Sequence, residues 1–115
     1  MTGVQTCALP ISPEVYKLSF RIRRIYYDQI FRGDKINEIR RCCPFWDKRV
    51  KRASEVMASG GTVTAVLVNG KDRMDRIVMH ITHHQDVFEV LGREPSEQGK
   101  KDLGQFDVWA FWFSG

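Results

Sequence analysis

Alternation of apolar and polar residues predicts strands along much of the chain. Between Tyr16 and Ile22 every second residue is apolar, which predicts a first strand with one buried face. Residues 62–68 and 74–82 are rich in β-branched residues, and the Asn69-Gly70 pair between them is typical of a hairpin turn. In the second of these strands, we expect one face to carry Ile77, Met79 and Ile81 and the other to carry Val78, His80 and Thr82.

Apolar residues at helical spacing predict two helices. The first runs from Arg24 to Arg32, and Gly33 suits the left-handed position that ends such a helix. Pro44 is placed to begin the second helix, because proline is tolerated in a first turn. The apolar stripe of this helix comprises Trp46, Val50, Ala53 and Met57 and ends at Gly60-Gly61, while the opposite face carries Lys48, Arg49, Lys51 and Arg52.

The order of these elements predicts an α+β fold. Residues 108–113 are apolar on both faces, so we expect them to form a central strand or one covered by a helix. Residues 85–104 are polar and punctuated by glycine and proline, which is typical of short helical turns over a barrel mouth. The expected architecture is a small mixed barrel of about five strands flanked by two or three helices. With 115 residues, the chain is expected to form one domain over 12–115.

The first eleven residues carry no charge and no helical or strand periodicity. Residues 2–11 resemble the translation of a short-read sequencing adapter fused to an assembled, metagenomic gene. A signal peptide is the competing interpretation, but the segment has no basic start and Pro10 interrupts its apolar run. We therefore expect residues 1–11 to be a non-native or disordered leader, and the sequence does not define the natural start.

Positive charge is concentrated in the first half of the chain. Between Lys17 and Arg52 there are twelve lysines and arginines and four acidic residues, a net charge of +8 within a chain whose net charge is +4. A segment with this much positive charge favours a phosphate-bearing partner, either a nucleic acid or a nucleotide. The alternative is an ordinary solvated helix face over Lys48–Arg52.

The cysteines and histidines do not predict a disulfide or a metal site. Cys42 and Cys43 are adjacent and lack a second pair at zinc-site spacing, and neighbouring histidines such as His83 and His84 point apart on a strand. We expect no metal and no cofactor, and the cysteine usage is typical of a reducing cytoplasm. No apolar run approaches the ~20 residues that cross a bilayer, so we expect no membrane span.

Residues 33–40 combine a lysine, a carboxylate and an arginine directly after the first helix. From Ile36 the pattern alternates, so Ile36, Glu38 and Arg40 would share one face of a strand, and Lys35 would reach over the sheet edge from a turn. Such a cluster can bind an anion or a polar heterocycle, or transfer protons. The alternative is a surface strand on which Glu38 and Arg40 form a weak ion pair.

Residues Tyr26 to Arg41, read as helix–Gly–X–Lys–X–X–Glu–X–Arg, resemble the signature of the ASCH family, a branch of the PUA-like superfamily of barrels. The likeness extends loosely from Tyr16 through Pro44-Phe45-Trp46 to the last apolar strand. Family members include RNA-binding modules, a ribonuclease and small amidohydrolases that deacylate N4-acylcytidine. The short single-domain amidohydrolases are the most similar in size. They have a threonine three residues after the lysine, where this chain has Glu38.

The resemblance implies a set of site residues. Lys35 and Glu38 would be catalytic, together with a glutamate after the hairpin, for which Glu97 matches better than Glu89 or Glu94. Lys35 would act as a base if burial lowers its pKa, or as an oxyanion stabiliser if Glu38 keeps it charged. The expected substrate-binding residues are Tyr27, Arg40, Arg41 and Trp46. Among the aromatic residues near the motif, Tyr26, Tyr27, Phe45 and Trp46 could stack on a pyrimidine. The alternative for Trp46 is a place in the core.

The resulting hypothesis is a cytoplasmic, metal-free amidohydrolase acting on N4-acylated cytidine or related acylated pyrimidine nucleosides, as a monomer or a homodimer. The alternative is an RNA-binding module that reads a modified base, with the basic helix around Lys48–Arg52 contacting RNA, or a ribonuclease using the same lysine. Salt dependence separates these alternatives, because phosphate contacts make binding strongly salt-dependent.

Overall fold

Five strands and two helices make up the part of the chain that the computed structural model describes, residues 14–85 and 107–114. In chain order they are β1 (Val15–Arg21), α1 (Arg24–Arg32), β2 (Asn37–Arg41), α2 (Pro44–Ala58), β3 (Thr62–Asn69), β4 (Asp72–His84) and β5 (Val108–Phe113). This order confirms the predicted α+β class. The proposed leader, the polar segment after β4 and the candidates Glu89, Glu94 and Glu97 lie outside the described residues.

The strands form one mixed sheet in the order β1-β3-β4-β5-β2. β1 pairs with β3 in parallel, whereas the other neighbours are antiparallel. β1 and β2 are therefore the two edges among the described strands, and the sheet is open rather than a closed barrel. A side chain joins these edges, because Nη2 of Arg40 donates a hydrogen bond to the backbone carbonyl of Arg21 at 2.8 Å.

Local signals end the elements where the sequence predicts. Gly33 adopts a φ of +85°, and its N–H group caps α1 by donating to the Ile30 carbonyl. Pro44 opens α2 in its first turn. β3 and β4 are joined by a two-residue turn between the paired Asn69 and Asp72, and Gly70 in it has a φ of +60°.

The core lies between the two helices and one face of the sheet. Its fully buried side chains include Leu18 and Phe20 of β1, Ala53 and Val56 of α2, Val63 and Leu67 of β3, and Phe111 of β5. Val56 adds to the apolar stripe predicted for α2, while Trp46 and Met57 of that stripe are partly buried against the core. β5 lies between β4 and β2, which confirms its predicted central position.

A β-bulge changes the faces of β4. Val78 pairs with Phe113 and His80 with Trp112, so Met79 is an extra residue in the ladder. After the bulge Ile81 lies opposite Phe111 and packs against the core. The predicted shared face of Ile77, Met79 and Ile81 is therefore wrong, because strict alternation assumes an uninterrupted ladder. Neither described helix is long and apolar enough to cross a membrane.

Candidate functional site

The backbone around Lys35 is held by the end of α1. The N–H groups of Asp34 and Lys35 both donate to the carbonyl of Gln29, at 2.8 and 3.2 Å. On the other side, the Ile36 carbonyl accepts a hydrogen bond from the N–H of Phe113 at the end of β5. Backbone hydrogen bonds thus hold the turn that carries Lys35 against α1 and against β5, so the Cα of Lys35 has a fixed position.

The Lys35 side chain folds back over the sheet edge and is only 18% exposed. Its Nζ donates a hydrogen bond to Oδ1 of Asn37 at 3.1 Å. The same nitrogen lies 4.0 Å from Oε1 of Glu38 and 5.6 Å from the centre of the Tyr26 ring. The 4.0 Å separation is longer than a hydrogen bond, so the lysine and the glutamate are an ion pair without a shared proton.

Glu38 is a buried carboxylate on the core face of β2. Its side chain is 8% exposed and it pairs with Phe111 across the sheet. Oε2 lies 2.8 Å from Nη2 of Arg40, two residues along the same face. Since an isolated buried charge is very unfavourable, the two cations on either side are what make an ionised Glu38 tolerable there.

Arg40 connects this pair to the aromatic part of the core. Its guanidinium carbon lies 5.3 Å from the centre of the Phe20 ring and 5.6 Å from that of Trp46. The Trp46 ring in turn stacks on Phe20, with centres 5.0 Å apart and planes 9° from parallel. Nε of Arg40 is buried and has no hydrogen-bond partner. The contacts of this arginine with Glu38, Arg21 and the rings hold Glu38 in place rather than leaving the guanidinium open to solvent.

Burial shifts the pKa values of Lys35 and Glu38 towards each other. Burial lowers the pKa of the Lys35 ammonium, an effect that the nearby Glu38 opposes and Arg40 reinforces. Burial raises the pKa of the Glu38 carboxyl, although Arg40 and Lys35 both act in the opposite direction. Both shifts bring the pKa of the lysine and the pKa of the carboxyl closer together, which is the direction that general acid–base chemistry requires.

A groove of about 520 Å³ opens beside Lys35, between the end of α1, the start of β2 and β4. Its lining includes the apolar side chains of Ile30, Phe31, Ile36, Ile77 and Phe113. Lys35 belongs both to this lining and to the Glu38 cluster. The groove is therefore a cavity, within the described part of the chain, through which a small molecule could approach the lysine.

Four of the predicted site residues come together: Lys35, Glu38, Arg40 and Trp46. Tyr27 instead lies in the core, 7% exposed, and Arg24 covers its ring. Arg41 is exposed at the end of β2, where it pairs with Val108. Glu97 cannot be placed, since it lies outside the described residues.

Two further residues contact Lys35: Tyr26, which the sequence offered only as a possible stacking ring, and Asn37, for which it predicted no role in the site. Tyr26 rather than Tyr27 lies beside the ammonium, and Asn37 accepts its hydrogen bond. Helical periodicity could have separated the tyrosines, because Tyr27 and Ile30 share the buried face of α1. The sequence carries no comparable signal for Asn37 beyond its position two residues after Lys35.

The basic face of α2 is partly engaged with the protein itself. Arg52 forms ion pairs with Glu14 and Glu55. The guanidinium of Arg49 lies 3.5 Å above the centre of the Phe45 ring and donates to the Phe45 carbonyl. Lys48 and Lys51 are exposed, so they are the members of this face best placed to meet an external phosphate.

Other reactive side chains do not form a second centre in the described part of the chain. Burial, with the carboxylates of Asp47 and Asp107, raises the pKa of the Cys42 thiol to about 11, so Cys42 is not a thiolate at neutral pH. Within residues 14–85 and 107–114, no three His, Cys, Asp or Glu side chains are grouped as metal ligands would be.

Comparison with models of known protein families, with characterised proteins and with solved structures finds no significant match to this chain. The likeness of residues Tyr26–Arg41 to the ASCH signature thus stays a prediction from the sequence.

Proposed function

We propose that the protein is a metal-free amidohydrolase that removes the acyl group from N4-acylated cytidine or a closely related acylated pyrimidine nucleoside. The observation that carries the proposal is the buried cluster of Lys35, Glu38 and Arg40, in which burial lowers the pKa of the lysine and raises that of the glutamate. The reaction class comes from the resemblance of Tyr26–Arg41 to the ASCH amidohydrolases, and cofactors are not part of the proposal.

Lys35 has the central role in the proposed reaction. Its neutral amine accepts a proton from water as the water oxygen attacks the acyl carbon of the amide. The resulting tetrahedral intermediate collapses when the C–N4 bond breaks and N4 receives a proton, which the Lys35 ammonium can return. The products are a carboxylic acid and the free cytosine nucleoside. In the alternative version, Lys35 stays charged and stabilises the oxyanion while a carboxylate activates the water.

Glu38 and Arg40 set the protonation state of Lys35 in this mechanism. The carboxylate 4.0 Å from Nζ favours the ammonium, so it stabilises the proton that the amine has just received. Arg40 is a positioning residue, because it contacts Glu38 and the Arg21 carbonyl rather than the groove. The half-buried Tyr26, beside Nζ, offers a ring face for the pyrimidine.

The experiment is to incubate the full chain with N4-acetylcytidine and to follow cytidine and acetate by chromatography. We expect release of both in equal amounts, and loss of release in Lys35→Ala. Lys51→Ala is a matched control, since it removes an exposed lysine of α2 that is not part of the cluster. No hydrolysis by the folded wild-type protein, on acetylated or longer-chain substrates, would overturn the proposal.

A second candidate function is recognition of RNA without catalysis. The observation that favours it is the surface at the start of α2, where Phe45 is 53% exposed under Arg49 and next to the exposed Lys48. Aromatic and cationic side chains in such proximity are used to stack bases and contact phosphates. Ribonuclease activity, with Lys35 acting on a phosphodiester, would need the same surface to bind its polymer.

A further inference from the structure

The groove beside Lys35 has the lining of a site for an aliphatic chain. Three large apolar side chains in it are exposed by 47% or more: Phe31, Ile36 and Ile77. Two more, Ile30 and Phe113, are buried. A protein surface seldom gathers so many exposed apolar side chains around one cavity without a ligand or partner. The volume of about 520 Å³ is within the usual range for small-molecule sites.

Each charged side chain that lines the groove has a partner within the protein: Lys35 contacts Asn37, and Asp75 forms an ion pair with Arg73. Nε of Arg32 donates to Oδ2 of Asp34 at 3.0 Å, and Nη1 of Arg76 donates to the Asp75 carbonyl at 3.0 Å. These contacts reduce the attraction that either arginine would offer to a phosphate. The apolar side chains therefore determine what the groove binds best, and they favour a hydrocarbon over an anion.

We infer that the groove holds the acyl chain of the substrate and that the protein prefers long aliphatic N4-acyl groups to acetyl. This inference rests on the proposed function, and it identifies the substrate class. Lys35 connects the groove to the proposed catalytic site, because it lines the groove while its Nζ lies 4.0 Å from Glu38. An acyl chain bound along Phe31 and Ile77 would thus extend into the groove, with the amide carbonyl of the substrate next to Lys35.

The first test compares kcat/KM for N4-acetyl-, N4-butanoyl- and N4-hexanoylcytidine. If each added methylene is buried in the groove, kcat/KM should rise about fourfold per methylene. Phe31→Ser and Ile77→Ser, at exposed positions that should tolerate the change, are expected to flatten this rise. Met79→Ser is the matched control, because Met79 is 58% exposed on the same strand as Ile77 but does not line the groove. Thermal unfolding of each variant checks the fold.

The second test separates this inference from the proposed function. Binding of N4-methyl-, N4-butyl- and N4-hexylcytidine, which lack the carbonyl and cannot be hydrolysed, is measured by calorimetry. Affinity that rises with chain length and falls in Ile77→Ser supports the groove assignment even if no hydrolysis occurs, in which case only the amidohydrolase proposal fails. Affinity independent of chain length overturns the inference. So does a change in sedimentation of Ile77→Ser without any effect on ligand binding, which would identify the groove as a contact between two copies.

Discussion

Arg40 joins the two edges of the sheet to the buried carboxylate of the site, because one nitrogen of its guanidinium lies 2.8 Å from both the Arg21 carbonyl and Glu38. In a closed barrel the two edge strands would be joined by backbone hydrogen bonds, whereas here a side chain of β2 joins β1. This contact also places the charge of Arg40 beside the fully buried ring of Phe20. The position of Glu38, and through it the protonation of Lys35, therefore depends on the same contact that holds the edges together.

The first prediction is a measurable coupling between Glu38 and Arg40. Glu38→Gln removes the carboxylate and leaves Arg40 partly buried without its counter-charge, so we expect a loss of about 1–3 kcal/mol in the free energy of unfolding. Arg40→Met should lower the free energy of unfolding by less than the loss of its contacts alone indicates. The reason is that Glu38, left without Arg40, can take up a proton and become neutral. A double-mutant cycle in urea should give a coupling of about 1–2 kcal/mol.

The exposed pair of Arg32 and Asp34, with side chains 61% and 64% exposed, is the control for this cycle. It should show a coupling of at most about 0.5 kcal/mol, because solvent screens exposed ion pairs. Equal coupling in the two cycles would mean that burial of Glu38 has no energetic consequence.

The second prediction concerns the pH dependence of stability. Because burial lowers the pKa of Lys35, there is a pH window below the ordinary value of 10.5 in which the unfolded chain binds this proton and the folded protein does not. Stability should therefore rise with pH across that window. The difference in free energy of unfolding between wild type and Lys35→Met, measured from pH 7 to 10.5, isolates this contribution. Wild type should gain relative to the variant, and parallel curves would contradict a lowered pKa.

The third prediction assigns a positioning role to Asn37. Its Oδ1 accepts the hydrogen bond from Nζ of Lys35 at 3.1 Å, and the residue is 8% exposed. Asn37→Ala should lower kcat about 10- to 100-fold with little change in KM, because a misplaced amine slows the chemical step more than binding. Asn37→Asp should shift the acidic limb of the pH–rate profile to higher pH, since a second carboxylate favours the ammonium and Lys35 acts as the neutral amine. An unchanged profile would limit Asn37 to a structural role.

Most of the fold follows from local signals in the sequence. Gly33, Pro44 and Gly70 mark ends of elements, and alternation identifies the buried face of β1. The bulge at Met79 could not be predicted in this way, because it depends on the register between β4 and β5. Whether the edge strands pair or remain open is also a long-range property that alternation does not encode.

The site was predictable where it depends on neighbours in sequence. Lys35, Glu38 and Arg40 lie within one turn and one strand, so period two places the last two on one face. The burial of Glu38 was not predictable, because its partner across the sheet is Phe111 of β5, and Arg40 beside it packs on Phe20 and Trp46, which are all distant in sequence. The same long-range packing makes Lys35 mostly buried rather than a solvated turn residue, and so changes its pKa.

The fourth prediction separates small-molecule catalysis from RNA recognition. Hydrolysis of a neutral acylated nucleoside should change less than twofold in rate between about 50 and 200 mM salt, because no phosphate contacts are broken. Lys48→Ala with Lys51→Ala should leave this hydrolysis unchanged, since both side chains are exposed on α2. A fluorescence titration with a short single-stranded RNA tests the rival. Tight binding that weakens steeply with salt and in this double variant, together with absent hydrolysis, would favour the RNA-binding module.

The most direct test of the central claim is the rate of cytidine release from an N4-acylcytidine by wild type, Lys35→Ala and Lys35→Arg. If the amine of Lys35 transfers the proton, Lys35→Ala should lower kcat by roughly 10²–10⁴-fold in a protein that still unfolds cooperatively. Lys35→Arg should not restore the rate, because arginine stays protonated and cannot act as a base. Rescue by arginine would instead indicate purely electrostatic stabilisation. Full activity in folded Lys35→Ala would contradict the account, since its central residue would then have no part in the reaction.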